Sequence, residues 1–193
     1  MKEEIRQKLT GAVIGLARTC ENNEKTENTN RVFLEALTVA GDWSASIFDM
    51  SEMLEKARKY EDEQGKQIKA EDRPVFHVSP YVGWMNDPNG FSYYRGEYHL
   101  FYQYHPYNTY WNSMHWGHVV SKDLLHWEYL PAALAPDEEY DKIGCFSGSA
   151  TELGDGRQLL IYTAVDQEKM EDGTVRDIQT QAVAVGDGKD YKK

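Results

Sequence analysis

A single aspartate stands where the chain leaves its side chain little freedom. In Trp84-Met85-Asn86-Asp87-Pro88-Asn89-Gly90, Pro88 locks its own φ and pushes Asp87 out of the helical region, while Asn89 and Gly90 are residue types that accept positive φ. The stretch therefore predicts a strand running up to Asp87 and a reversal of the chain just after it. Two readings fit a carboxylate held in this way: a turn aspartate bonded only to its own backbone, and a positioned nucleophile or general base. Its surroundings favour the second. Downstream, in order, come Phe101-Tyr102-Gln103, Trp111, Trp116-Gly117-His118, Ser121-Lys122-Asp123-Leu124-Leu125-His126-Trp127 and Phe146-Ser147-Gly148-Ser149-Ala150.

Taken together and in this spacing, these motifs resemble the β-fructofuranosidases of glycoside hydrolase family 32. The resemblance runs over roughly residues 75 to 193 and leaves residues 1–70 outside it. It implies hydrolysis of terminal β-D-fructofuranosides (sucrose, sucrose 6-phosphate or a fructan) by a retaining double displacement, in which two carboxyl groups flank the scissile bond. Asp87 matches the nucleophile of that family. Trp84, Met85, Asn86, Gln103, Trp111, Phe146 and Ser147 match residues that surround the fructosyl unit, ring faces against its C–H faces and amides against its hydroxyls. The expected partner is a small sugar, and no cofactor is implied.

The resemblance also implies a transition-state aspartate in an Arg-Asp-Pro motif and an acid/base glutamate in a Glu-Cys motif, further along the chain. Neither motif occurs in these 193 residues: Arg176-Asp177 is followed by Ile178, and Cys145 follows Gly144. The chain thus resembles the N-terminal part of such an enzyme and is expected to be inactive alone, since general acid catalysis contributes about 10² to 10⁴ in rate. A non-catalytic fructan- or sucrose-binding module, and a propeller glycosidase such as an arabinan-degrading enzyme, are the competing readings. WMNDPNG paired with FSGSA favours fructose over arabinose.

The elements that must carry these residues change character along the chain. Residues 1–60 show helical spacing: Ile5, Leu9, Ala12, Val13 and Leu16, then Phe33, Leu34, Leu37 and Ala40 ending at Gly41, then Met53, Leu54, Ala57 and Tyr60 behind a capping box of Asp49 and Glu52. The charged run from Glu61 to Lys69 reads as a solvated linker, so that a helical extension at 1–70 precedes a domain at 71–193. From Arg73 the period falls to two. Phe91–Tyr94, an Arg95-Gly96 turn and Glu97–Tyr104 form a hairpin signal, with further strands at 114–121, 126–130, 147–153, 158–165 and 178–185. Gly96-Glu-Tyr-His-Leu-Phe-Tyr returns sixty residues later as Gly156-Arg-Gln-Leu-Leu-Ile-Tyr, and the Ser121–Trp127 stretch is echoed in shape by Gly186-Asp-Gly-Lys-Asp-Tyr. Such a period is what successive propeller blades show. With the resemblance, the expected fold is all-β: a five-bladed β-propeller of which about two blades are present, preceded by the helical extension.

Composition narrows the partners. A net charge of −11 with a pI near 5.0 argues against nucleic acid and against an anionic membrane surface, both of which need a basic face. Cys20 and Cys145 are too few and too far apart for a disulfide framework, which points to a reducing compartment. The short apolar run Gly11–Ala17 leads into Arg18 rather than a cleavage site, so a cytoplasmic location is expected. His115 and His118 are the nearest histidine pair, but i, i+3 on a strand faces opposite ways and no carboxylate or thiolate completes a set, so no metal is expected.

Overall fold

The chain reverses after Tyr94, not after Gly90. Strand β1 runs unbroken over Trp84–Tyr94, and the hairpin closes at Arg95-Gly96, whose φ values of 48° and 89° are both left-handed. Two positive φ values between the paired residues Tyr94 and Glu97 make the two-residue loop whose twist matches that of its strands. The turn expected at Asp87-Pro88-Asn89-Gly90 is instead a pair of bulges within β1: the pairing slips between Met85 and Pro88 and again between Asn89 and Ser92. Only Gly90, at φ 51°, takes the positive dihedral expected there. A Cβ on Gly90 would lie 2.8 Å from the Phe101 ring, so its bareness also lets β1 press onto the core.

The computed structural model describes Met50–Lys193. The helical stripes expected at 5–16 and 33–40, Cys20 and the capping Asp49 lie outside the described residues. Within them, β1 is followed by β2 (Glu97–His105), β3 (His115–Ser121) and β4 (Glu128–Leu134), one antiparallel sheet in sequence order. A second sheet repeats the arrangement with β5 (Gly144–Glu152), β6 (Gln158–Lys169), β7 (Val175–Gly186) and β8 (Tyr191–Lys192). The sixty-residue repeat places its two copies on β2 and β6, the second strand of each sheet, and its fainter echo on the β3–β4 and β7–β8 connections. The short β8 carries no alternation of its own and was not expected.

The sheets pack on each other through Phe101, Trp116, Ala133 and Leu134 of the first and Cys145, Leu160, Tyr162, Ala164, Ala184 and Tyr191 of the second. The opposite face of the first sheet is also covered. Tyr102, Tyr104, Val119 and Ala132 lie there with Val82 and Leu54. This double burial explains why every residue of β3 is buried and why its sequence does not alternate between apolar and polar.

Much of that second covering is helix α1 (Glu52–Gly65), and here two expectations are corrected. Its N-cap is Ser51, whose hydroxyl accepts from Leu54 N at 3.2 Å, not Asp49. It also runs through the stretch expected as solvated linker, with Glu61 buried. The reason is β4. As an edge strand it presents unpaired backbone groups. Glu61 Oε1 accepts from Ala132 N at 3.1 Å and Arg58 Nε donates to Ala132 O at 2.9 Å, so two helix side chains complete the rung that a fifth strand would have made. No helix among the described residues is long and apolar enough to cross a membrane.

Candidate active site

The first strands of the two sheets, β1 and β5, meet at their bulges. On β1, Asn86 and Asp87 together oppose Gln103 of β2, because Met85 pairs with Tyr104 and Pro88 with Tyr102. On β5, Ser147 is the extra residue between Phe146, paired with Thr163, and Gly148, paired with Tyr162. A bulge unpairs one residue and re-aims its side chain. Here both re-aimed side chains converge: Ser147 Oγ donates to Asp87 Oδ2 at 3.4 Å, and both residues are open to solvent. Gly148 is required by this geometry, since a Cβ there would lie 1.9 Å from the Ile161 carbonyl oxygen.

The neighbouring amides are oriented by bonds that use one end of each. Trp84 Nε1 donates to Asn86 Oδ1 at 2.9 Å, which leaves the Asn86 NH₂ as the free end, a donor. Gln103 Nε2 donates to the Cys145 carbonyl at 2.9 Å, which leaves Oε1 as the free end, an acceptor. Gln103 is almost wholly buried, so it lies behind Asp87 and Ser147 and ties β2 to β5. Trp111 reaches in from the β2–β3 loop, half exposed, and meets Phe146 edge to face at 6.0 Å between centroids. Asp87, Ser147, Asn86, Trp84, Phe146 and Trp111 are thus gathered at one end of the two sheets, with Gln103 beneath them. Met85 is not among them. It packs on the outer cluster with Tyr102 and Tyr104, as the period of two requires for a neighbour of Asn86.

Four histidines, His99, His105, His115 and His118, are buried, while His77 and His126 are exposed. His99 Nδ1 and His118 Nε2 lie 3.0 Å apart, and burial pushes both rings below their ordinary pKa. His115 Nδ1 donates to Ser113 O at 3.0 Å, and its burial lowers it to about 4, so the ring is neutral at physiological pH. Among the described residues no three His, Cys, Asp or Glu side chains come together as a metal set. Arg176 and Asp177, the near-match to a catalytic motif, are rungs of the exposed β6–β7 ribbon, paired with Glu168 at 3.0 Å and Gln167 at 2.9 Å.

One residue that sequence reasoning passed over sits at the junction of both motifs. Trp116 donates from Nε1 to the Phe146 carbonyl at 3.2 Å, and its ring lies against Gly90. In the sequence it stood only within Trp116-Gly117-His118, with no site role given to it.

Asp87 thus stands exposed at the junction of two antiparallel sheets, bonded by a hydroxyl and flanked by a free amide donor and two aromatic edges. The chain belongs to the glycosyl hydrolases of family 32, whose N-terminal domain matches residues 77–193. A sucrose-6-phosphate hydrolase of Zymomonas mobilis is 46% identical over 142 residues, covering 72% of this chain and 27% of that protein. A raffinose invertase of Escherichia coli is 48% identical over 113 residues, covering 58% and 24%. Among solved structures, a mutant family 32 β-fructofuranosidase of Bombyx mori in complex with sucrose superimposes with a TM-score of 0.64 at 41% identity, covering 74% of this chain and 30% of that one. The chain spans about a quarter of the length of these relatives.

Proposed function

We propose that this chain supplies the nucleophile side of a β-fructofuranosidase, with Asp87 attacking the anomeric carbon of a terminal fructosyl unit in a retaining double displacement. The observation that carries the reading is the contact between Asp87 and Ser147, side chains sixty residues apart in sequence that meet at 3.4 Å only because two strands bulge at matching points. Ser147 offers its hydroxyl to the carboxylate, which fixes one oxygen and leaves the other to attack. The Asn86 amide suits a fructosyl hydroxyl oxygen, and the right-angled Trp111 and Phe146 rings suit the apolar faces of the sugar. The sucrose held by the Bombyx mori relative supports a sugar of this class. The leaving oxygen takes its proton from an acid outside the motifs present here. In this reading the two sheets are the first two blades of a five-bladed propeller, with β1 and β5 lining its axis.

The deciding experiment is Asp87→Asn in the intact enzyme, assayed by glucose release from sucrose. Asn is nearly isosteric and leaves the bulge intact, while removing the covalent route, so turnover is expected to fall by more than about a thousandfold. Turnover within tenfold of the parent, with protein purity controlled, would exclude Asp87 as the nucleophile.

A further inference from the structure

We infer that Trp116 is a positioning residue for this site, its indole N–H holding the β5 bulge so that the Ser147 hydroxyl stays against Asp87. The inference rests on the reading of Asp87 given above, and its geometry stands apart from it. Gln103 and Trp116 are directly paired residues of β2 and β3, so their side chains leave the same face of the first sheet. Their two donors take successive carbonyls of β5, Cys145 O at 2.9 Å and Phe146 O at 3.2 Å.

In a regular strand this cannot happen, because successive carbonyls point to opposite edges. Cys145 faces the first sheet in the regular way: its N–H donates to Met114 O at 2.8 Å while its carbonyl accepts from Gln103. Phe146 should then turn its carbonyl toward β6. Trp116 donates to it at the step where the β5–β6 pairing slips past Ser147. That carbonyl belongs to the peptide that carries Ser147, so the indole fixes the orientation from which Ser147 Oγ reaches Asp87.

The ring itself has no room to move. It is fully buried, lies 5.6 Å from Phe101 and 6.3 Å from Tyr162 between centroids, and a Cβ added to Gly90 would come within 3.3 Å of its Cζ3. One rigid side chain therefore touches the strand that carries Asp87 and bonds the strand that carries Ser147. A ring serving only as core filler would need its N–H satisfied by some acceptor. That the acceptor is the Phe146 carbonyl is what couples it to the site.

The test replaces Trp116 in the intact enzyme by 3-benzothienylalanine, which keeps the bicyclic shape and puts sulfur where the N–H was, and separately by 7-azatryptophan, which keeps the N–H. With the sulfur analogue, kcat on sucrose is expected to fall about tenfold or more with KM within about twofold, as loss of alignment in the transition state requires. The aza analogue should restore parent turnover. Combined with Ser147→Ala, the sulfur analogue should cost nothing further, because both changes remove the same contact. Additive losses, or a lowered melting temperature with unchanged kcat, would overturn the inference. A crystal structure of the sulfur analogue gives the readout that does not depend on turnover: Ser147 Oγ is expected beyond hydrogen-bond reach of Asp87, and a contact preserved at its present distance would equally overturn it. An Asp87→Asn enzyme that still turns over would sink the nucleophile reading alone and leave that structural comparison to decide this one.

Discussion

Replacing Glu61 by Gln should flatten the pH dependence of stability. Glu61 lies on the buried face of α1, with one oxygen accepting from Ala132 N and the other, Oε2, buried without a partner. Burial raises its carboxyl from 4.5 to about 8, against the lowering effects of the Ala132 bond and Arg58. The folded protein therefore holds a proton that the unfolded chain releases. A raised pKa stabilises fully below the unfolded value near 4.5, and that stabilisation drains away as pH rises to about 8. At about 1.4 kcal/mol per pH unit, the part lost across this window is on the order of 3–5 kcal/mol. Gln keeps the acceptor for Ala132 N and cannot ionise, so Glu61→Gln should match the parent near pH 5 and exceed it by a few kcal/mol at pH 8.5. The neutral buried histidines act in the opposite direction, losing stability as pH falls below their ordinary pKa near 6.5, and they cancel in the comparison of parent and variant. Urea denaturation followed by tryptophan fluorescence at pH 5, 7 and 8.5 measures the difference. Parallel parent and variant curves would refute both the protonated state of Glu61 and its place at the β4 edge.

Ser51→Ala removes the cap of α1 and should cost about 1 kcal/mol, read as a lower urea midpoint at unchanged slope. Gly148→Ala drives a methyl into the Ile161 carbonyl and should cost on the order of 1–3 kcal/mol while displacing Ser147. In the intact enzyme it is therefore expected to lower kcat to the level of Ser147→Ala, and a normal kcat with a lower melting temperature would separate the fold from the site.

The residues that meet at the two bulges were legible because their identities are local facts. An aspartate between Asn86 and Pro88, and a serine followed by the glycine that its bulge needs, are written into neighbouring residues. The strands were legible for the same reason, since alternation and the Arg95-Gly96 turn are short-range signals, and the sixty-residue period foretold that β6 would repeat β2. Even so, Asp87-Pro88-Asn89-Gly90 misled as a turn. The residues that permit a reversal also permit a bulge, and only pairing with β2 selects between them.

Tertiary structure alone decided the partnerships. The charge run beginning at Glu61 looked like linker because charge is normally solvated, and nothing in its pattern shows that an edge strand will arrive to take its carboxylate. Gln103 was expected to face a sugar, but its bond to the Cys145 carbonyl depends on how one sheet lies on the other. Trp116 stood in the sequence only as part of Trp116-Gly117-His118, and nothing in that stretch shows where its N–H will point. The direction of its N–H is set by the packing of two sheets whose strands are far apart in the chain, and no window of residues contains both.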